Sequence, residues 1–154
     1  MRIRRATRKD FEVVWSATVQ TVWDDLPQAE RARVDRTTFE SHFRPRAAKV
    51  LESPENEVYV AEDPDGRFLG YTILGPATSM LSPVTFGFVY DVWVSPGARR
   101  QGVATALLNH AIAWCRRQGL ASLKLEVGAR NVAARGLYAS TGFSEERVSM
   151  EKEL

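Results

Sequence analysis

Cysteine, histidine and long apolar runs are nearly missing from this sequence, which has one cysteine and two histidines in 154 residues. A single cysteine excludes an internal disulfide. With only two histidines beside it, it also argues against the cysteine- and histidine-rich sites that hold structural metals. No run approaches the roughly 18 apolar residues that a membrane-spanning helix needs. Met1–Arg5 is followed by polar residues rather than by the apolar segment of an export signal. We therefore predict a cytoplasmic protein with no metal and no membrane partner.

An excess of charge is also missing, because 21 lysines and arginines nearly balance 19 aspartates and glutamates. The formal net charge is +2, and no stripe mixes basic with aromatic residues, so we predict no nucleic-acid partner. What is present is an ordinary globular composition, with 44% hydrophobic residues. A chain of this length buries about two-thirds of its unfolded surface. We expect one domain over residues 1–154, with Cys115 packed inside it and both His42 and His110 solvated.

The most informative stretch joins a predicted strand to a predicted helix through a short loop. Valine and aromatic residues favour a strand over 84–94, and Pro96 and Gly97 end it. Apolar residues at helical spacing then predict a helix from about Gln101 to Gly119. The first turn of a helix has free N–H groups and a partial positive charge, so a loop of this kind can bind an anion.

Three residues of this loop fit an anion site. Gly102 would let a phosphate approach the backbone, and Arg99 and Arg100 supply guanidinium groups that can donate to its oxygens. The same residues also fit an ordinary strand-to-helix turn with a solvated arginine pair. Local physics leaves both interpretations open.

A second strand and helix are predicted over residues 121–142. The strand covers 121–127, Asn131 begins the helix and Gly142 ends it. Tyr138 lies seven residues after Asn131, which is close to two helical turns. The two side chains should therefore project from nearly the same face.

The spacing of these motifs resembles that of the GNAT superfamily of N-acetyltransferases. Arg99-x-x-Gly102-x-Ala104 after an apolar strand is similar to the superfamily's pyrophosphate loop. Asn131, then Tyr138, then a Gly-Phe pair is similar to the strand and helix that follow in that family. The resemblance covers residues 57–154 well and the first third of the chain only loosely.

The resemblance implies the acyl-CoA N-acyltransferase fold, which belongs to the α/β (α+β) class. Its mixed, mostly antiparallel sheet has six to seven strands and is flanked by about four helices. In that fold two central parallel strands splay apart, here those ending at Val94 and beginning at Leu123. The splay leaves backbone groups unpaired, and the pantetheine arm of acetyl-CoA bonds to them as an added strand would.

By resemblance the protein transfers the acetyl group of acetyl-CoA directly to a primary amine of a small molecule or peptide, without a metal. The alternative is a non-catalytic acyl-CoA-binding or regulatory module of the same fold. The residues implied in acetyl-CoA binding are Val92, Trp93, Val94, Arg99, Arg100, Gln101, Gly102, Val103, Ala104, Thr105, Asn131 and Tyr138. Asn131 also suits the N-cap of its helix. The resemblance further leaves a homodimer open.

Three side chains are candidates for the chemistry. Tyr138 matches the tyrosine that protonates the departing CoA thiolate, although a half-buried aromatic role fits it as well. An amine must also lose a proton before it attacks, and Glu126 and Asp91 are the two candidate bases. Strand alternation cannot place either carboxylate, since a bulge would turn one of them to the other face.

The resemblance also suggests residues that meet the acceptor. Trp23 and Asp24 lie where relatives often contact substrate, and Tyr90 is a further candidate. Core packing and helix capping are the alternatives for the first two, and core packing is the alternative for Tyr90.

The first third of the chain should be mainly helical. A short strand is predicted over 2–6, and a helix runs from Thr7 to about Asp25. A further helical region covers 28–53, with a break or kink at Pro45. The resemblance implies that this region overlies the acceptor cleft.

A hairpin and an uncertain C-terminal segment complete the prediction. Strands are expected over 57–62 and 67–74, with a polar loop over 75–83. Residues 143–153 have strand potential, as one strand or as a compressed pair.

Overall fold

A computed structural model describes residues 1–152 and 154. The strands are β1 (Arg2–Arg5), β2 (Glu57–Glu62), β3 (Phe68–Thr78), β4 (Thr85–Val94) and β5 (Leu123–Leu125). The α-helices are α1 (Phe11–Asp25), α2 (Gln28–Arg31), α3 (Arg36–Glu52), α4 (Val103–Arg117) and α5 (Val132–Ser140). Two short 3-10 helices cover Arg8–Asp10 and Pro96–Ala98.

The strands form one mixed sheet in the order β1-β2-β3-β4-β5. Neighbours are antiparallel except β4 and β5, which are parallel. One buried cluster packs the sheet against α1, with α3 beside it, and two further clusters lie under α4. This α/β architecture confirms the predicted fold class.

The predicted strand count is too high. The described residues form five strands rather than six or seven, and residues 143–152 form none. That segment is largely exposed, and its Glu146 instead forms an ion pair with Lys124 of β5, with N and O 2.7 Å apart. Without a buried apolar face, its strand potential gains little from sheet packing. Glu153 lies outside the described residues.

β4 and β5 pair over only three residues and then separate, as the fold prediction required. Their register joins Gly87 to Leu123 and ends with Val89 opposite Leu125. β5 is accordingly shorter than the predicted strand over 121–127. The remainder of β4 therefore has a free edge on this side.

A bulge in β4 sits beside the point of separation. Leu74 of β3 pairs with Val89, whereas its neighbour Ile73 pairs with Asp91, so Tyr90 is the extra residue. Leu74 and Val89 belong to a cluster under α4, and Ile73 belongs to the cluster under α1. The bulge therefore turns Asp91 to the α1 face, which strand alternation alone could not reveal.

The helical region has its break in a different place from the one predicted. The chain leaves helical structure between Arg31 and Arg36, and Pro45 lies inside α3. The Asp35 side chain caps α3 by accepting a hydrogen bond from the Thr38 N–H at 2.8 Å. This cap starts a new helix before the proline, which the packed helix then accommodates.

The predicted polar loop over 75–83 is partly strand. β3 continues to Thr78 because Gly75, Pro76 and Ala77 pair with the aromatic-rich start of β4. Few of these residues favour strands by themselves, so the partner strand decides their conformation. The hairpin loop is confined to residues 79–84.

Candidate active site

The separation of β4 and β5 opens a cleft of about 350 Å³. Its walls are residues 89–92 of β4, residues 125–127 of β5 and the following loop, the end of α1, and the inner side of α5. Asp91, Glu126, Asn131 and Tyr138 all line it, which brings together residues from distant parts of the sequence. Tyr90, half-exposed at the bulge, lines it as well.

Beyond Val89, the edge of β4 faces this gap and pairs with no strand of residues 1–152 and 154 on this side. The Ser95 N–H donates to the Leu69 carbonyl of β3 at 2.9 Å. Every second residue of a strand directs its backbone N–H and C=O groups to the same neighbouring strand. The register thus directs the backbone groups of Trp93 to β3, and those of Val92 and Val94 to the gap. The Trp93 ring itself packs in the core beside Tyr71, 6.0 Å between centroids.

The loop after β4 folds into an arrangement that favours anions. Arg100 has φ of +62° and Gly102 has φ of +79°, and such alternation turns successive N–H groups inward. Gly102 is the N-cap of α4 and provides no capping side chain, so the N–H groups of the first turn, from Val103 to Thr105, remain available. A Cβ on Gly102 would meet no atom within 4 Å, so the space in front of the loop is open.

The side chains around this loop hold it to the sheet. The exposed Arg99 donates from Nε to the Val94 carbonyl at 3.3 Å, and Gln101 donates to the Gly97 carbonyl at 2.9 Å. Val103 is buried in the core, whereas Ala104 and Thr105 are only half-buried. The residues of the predicted pyrophosphate loop therefore surround one open helix start.

Asp91 reaches the cleft from a hydrogen-bonded pocket in the sheet. The Tyr71 hydroxyl donates to its Oδ2 at 2.5 Å. Burial raises the pKa of Asp91, and the hydrogen bond from Tyr71 opposes that shift. A carboxylate whose charge is disfavoured by burial binds protons more readily than an exposed one does.

Tyr138 lies on α5 with its ring half-buried against Phe143, 5.9 Å between centroids in an edge-on arrangement. Burial and the charges of Asp91 and Asp25 raise its pKa to about 12. The phenol is therefore protonated across the neutral range and can act as a proton donor. Asn131 accepts a hydrogen bond from the Ala134 N–H at 3.1 Å, so it caps α5 while it also lines the cleft.

Asp25 is a cleft residue that the sequence analysis missed. Its carboxylate accepts a hydrogen bond from the Gly128 N–H at 3.3 Å, which ties the end of α1 to the loop after β5. With Asp91 and Glu126 it gives the cleft three carboxylates. Among the described residues that form the lining, none is lysine, arginine or histidine. Asp25 directly follows the predicted Asp24 at the end of α1. The sequence alone does not show which of the two neighbouring side chains faces the cleft.

Trp23 and Asp24 do not reach the cleft lining. The Trp23 ring packs on Phe39, with 5.2 Å between the ring centroids. The Arg31 guanidinium lies over the same Trp23 ring, 4.8 Å from its centroid. Asp24 accepts a hydrogen bond from Gln20 at 2.8 Å on the exposed side of α1. The Trp23 contacts stabilise the packing of α1 against α2 and α3, whereas the Asp24 contact lies within α1.

His110 is not solvated as predicted. Its ring packs against Tyr59, with centroids 4.2 Å apart, and its buried Nε2 lacks a hydrogen-bond partner within the described structure. Burial and the charge of Arg117 lower its pKa. The residue lies on α4, away from the residues that line the cleft.

Residues 1–152 and 154 contain neither a candidate metal site nor a candidate membrane-spanning helix. No group of three or more histidine, cysteine, aspartate or glutamate side chains is placed to hold a metal ion. Among these same residues, no helix combines the length and the apolar character needed to cross a membrane.

Comparison with known proteins gives consistent relatives. The chain is 43% identical over 107 residues to the [ribosomal protein bS18]-alanine N-acetyltransferase of Escherichia coli, covering 68% of each chain. It is 29% identical over 146 residues to the uncharacterized N-acetyltransferase YhfO of Bacillus subtilis, covering 95% of this chain and 91% of that one. A solved mutant of a Bacillus halodurans protein shares the fold with a TM-score of 0.82, at 22% identity over 100% of this chain and 99% of that one.

The family comparison covers nearly the whole of the described sheet and cleft. The model of the acetyltransferase (GNAT) family matches residues 6–143, which include the loop at Gly102, both candidate bases and Tyr138. The chain therefore belongs to the acetyltransferase (GNAT) family.

Proposed function

We propose that this protein transfers the acetyl group of acetyl-CoA to a primary amine of a small molecule or peptide. The observation that carries the proposal is the gap between β4 and β5, which an open helix start closes at one end and carboxylates line at the other. Membership of the acetyltransferase family supports acetyl-CoA as the donor.

The binding of acetyl-CoA uses backbone more than side chains. The N–H groups at Gly102, Val103, Ala104 and Thr105 hold the pyrophosphate, together with the partial positive charge of α4. Arg99, Arg100 and Gln101 lie close enough to assist. The pantetheine arm lies along the edge of β4 that pairs with no strand, where the backbone groups of Val92 and the Val94 N–H face it. The Val94 carbonyl already accepts a hydrogen bond from Arg99. The Asn131 side chain lies on the opposite wall.

Asp91 and Tyr138 divide the proton transfers between them. Asp91 accepts a proton from the ammonium form of the acceptor, so the amine nitrogen can attack the thioester carbonyl. As the new C–N bond forms and the C–S bond breaks, Tyr138 donates its phenolic proton to the departing sulfur. The buried position of Asp91 and the high pKa of Tyr138 suit these opposite roles. Glu126, exposed on the opposite wall, is the second candidate for the base.

The charge of the cleft favours an acceptor that arrives as a cation. Three carboxylates line it, and among the described lining residues there is no cationic side chain to oppose them. The E. coli relative is named for acetylation of an alanine of ribosomal protein bS18, which supports an amine at a peptide end as one kind of acceptor.

The experiment that tests the proposal has two parts. Titration calorimetry should detect acetyl-CoA binding, and free thiol should appear when a panel of primary amines is added. A protein that ignores millimolar acetyl-CoA would end the proposal. Binding without thiol release across the panel would favour the non-catalytic acyl-CoA module instead.

A further inference from the structure

A line of three hydrogen-bonded side chains runs from α1 along the α1 face of the sheet to the cleft. The Tyr71 hydroxyl, fully buried on β3, lies 2.5 Å from Asp91 Oδ2 and 2.7 Å from the Thr18 Oγ1 of α1. A phenol has one proton, and here it is donated to Asp91. Thr18 must therefore donate to Tyr71, so both hydrogen bonds of the line point toward the carboxylate.

We propose that Tyr71, oriented by Thr18, is a positioning residue that fixes the Asp91 carboxylate in the cleft and keeps it ionised enough to accept the acceptor's proton. This inference rests on the proposed function. Neither Tyr71 nor Thr18 lines the cleft, so both act through Asp91 rather than on the acceptor.

The physical need for such a residue follows from the place of Asp91. Burial disfavours the charge of this carboxylate, so without donors it would be protonated and unable to act as a base. Hydrogen bonds to the charged form counter that effect. Burial raises the pKa of Tyr71 itself, so its hydroxyl remains a donor at every working pH.

Several groups share the surroundings of Asp91 and enter the pH dependence. Tyr71 faces it from β3, Thr18 from α1 and Tyr138 from α5. The carboxylates of Asp25 on α1 and Glu126 after β5 line the same cleft. Of these, Tyr71 donates a short hydrogen bond of 2.5 Å to Asp91 Oδ2 from a fully buried ring.

The test is the pH profile of kcat/KM for the Tyr71→Phe variant, with thiol release as the readout. The acidic limb should move up by about one pH unit, with kcat/KM roughly tenfold lower on that limb, because the ionised carboxylate has lost a donor. The KM for acetyl-CoA should not change. The inference would be overturned if Tyr71→Phe has the same melting temperature as the control variant Tyr59→Phe and the same pH profile of kcat/KM as the unmodified protein.

The chain offers a matched control in Tyr59→Phe. Tyr59 on β2 donates to Glu57 at the same 2.5 Å, outside the cleft, so its loss should leave the acidic limb in place. A shift of equal size in this control would mean that any lost sheet hydroxyl alters the profile, which contradicts the inference.

Thr18 provides a second route if Tyr71→Phe fails to fold. Thr18→Val removes the hydroxyl and should shift the acidic limb in the same direction, whereas Thr18→Ser retains a donor and should restore it. A valine variant with an unshifted limb would overturn the inference. Failure of the proposed function has a different signature: the unmodified protein would release no thiol with any amine of the panel, so there would be no pH profile to compare. Full activity in Asp91→Asn with the same acidic limb would show that Asp91 is not the base, which would overturn the inference while acetyl transfer itself stands.

Discussion

Val89 and Leu125 are the last two residues that pair between the parallel strands. Beyond them β4 continues to Val94, supported only by β3 on its other side. A ladder that continued to Val94 would consume the backbone groups that we assign to the pantetheine arm. The short β5 is therefore what makes the cleft available to a ligand.

We predict that Gly102→Ala weakens acetyl-CoA binding about tenfold. The new methyl group would point into the open space before α4, where the pyrophosphate is expected, and alanine disfavours the φ of +79°. Calorimetric titration with acetyl-CoA measures the effect.

Gly66→Ala is the matched control for that measurement. Gly66 has φ of +80°, and a Cβ there would also meet nothing within 4 Å, but it lies in the turn between β2 and β3. Both variants should lose similar stability, whereas only Gly102→Ala should lose affinity. Equal affinities in the two variants would remove Gly102 from the binding site.

The second prediction concerns Tyr138. Tyr138→Phe should lower kcat about a hundredfold while the affinity for acetyl-CoA changes little, because the lost hydroxyl donates a proton only as the C–S bond breaks. Steady-state kinetics and calorimetry on the same preparation separate the two quantities.

The pKa of about 12 for Tyr138 also limits how the activity can depend on pH. Because Tyr138 stays protonated up to that region, its ionisation cannot cause a loss of activity between pH 8 and about 10. An alkaline limb in that range that disappears in Tyr138→Phe would contradict the raised pKa. An unchanged kcat in the variant would remove the residue from the mechanism.

The local structure of the loop end of the cleft could be predicted from the sequence better than the arrangement of the carboxylates. The loop from Arg99 to Thr105 is a local motif, because the residues that shape a strand-to-helix turn are neighbours in the chain. The face of Asp91 depends on a bulge at Tyr90, and a bulge arises from pairing with a distant strand. Tyr71 has no local signal at all, since its partners lie on α1 and β4.

The fold divides in the same way. The hairpin start at Glu57–Glu62 and the cap of α5 at Asn131 follow from neighbouring residues, and both predictions are confirmed. Pro45 inside α3 and the extension of β3 to Thr78 are decided by packing and by a partner strand, which local preference does not report.

The third prediction concerns stability and pH. Asp10 accepts two hydrogen bonds from the Arg4 guanidinium, at 2.9 and 3.0 Å, and one from the Thr7 N–H at 2.6 Å. Chiefly through the bonds from Arg4, these contacts lower the pKa of the buried carboxyl to about 2, against an ordinary value of 3.8. Asp10→Asn should therefore lower the free energy of unfolding at pH 7 by about 2 kcal/mol.

The sign of the pH dependence follows from the lowered pKa. The contribution of Asp10 is complete above the unfolded value and is lost as the pH falls through the range from about 5 toward 2. In urea unfolding, the difference in the free energy of unfolding between the unmodified protein and Asp10→Asn should therefore become smaller between pH 5 and 3. Asp65→Asn, at an exposed turn position, should have almost the same free energy of unfolding as the unmodified protein. If this difference in the free energy of unfolding stays constant with pH for Asp10→Asn, the prediction is contradicted.

The fourth prediction concerns the acceptor. Because three carboxylates line the cleft and only one is needed as the base, we expect a diamine to bind better than a monoamine of the same chain length. Asp25→Asn removes one of the remaining charges without touching either candidate base. It should raise the KM for the diamine up to about fivefold and leave that for the monoamine nearly unchanged.

Two comparisons make this prediction sharp. Glu55→Gln removes an exposed carboxylate outside the cleft lining, so it should not distinguish the two amines. Added salt should raise the KM for the diamine more than that for the monoamine, since screening acts on the extra charge pair. If an acceptor that carries a carboxylate beside its amine is preferred instead, attraction by the acidic cleft cannot govern the choice of acceptor. The specificity would then have to come from the shape of the walls around Tyr90 and Tyr138.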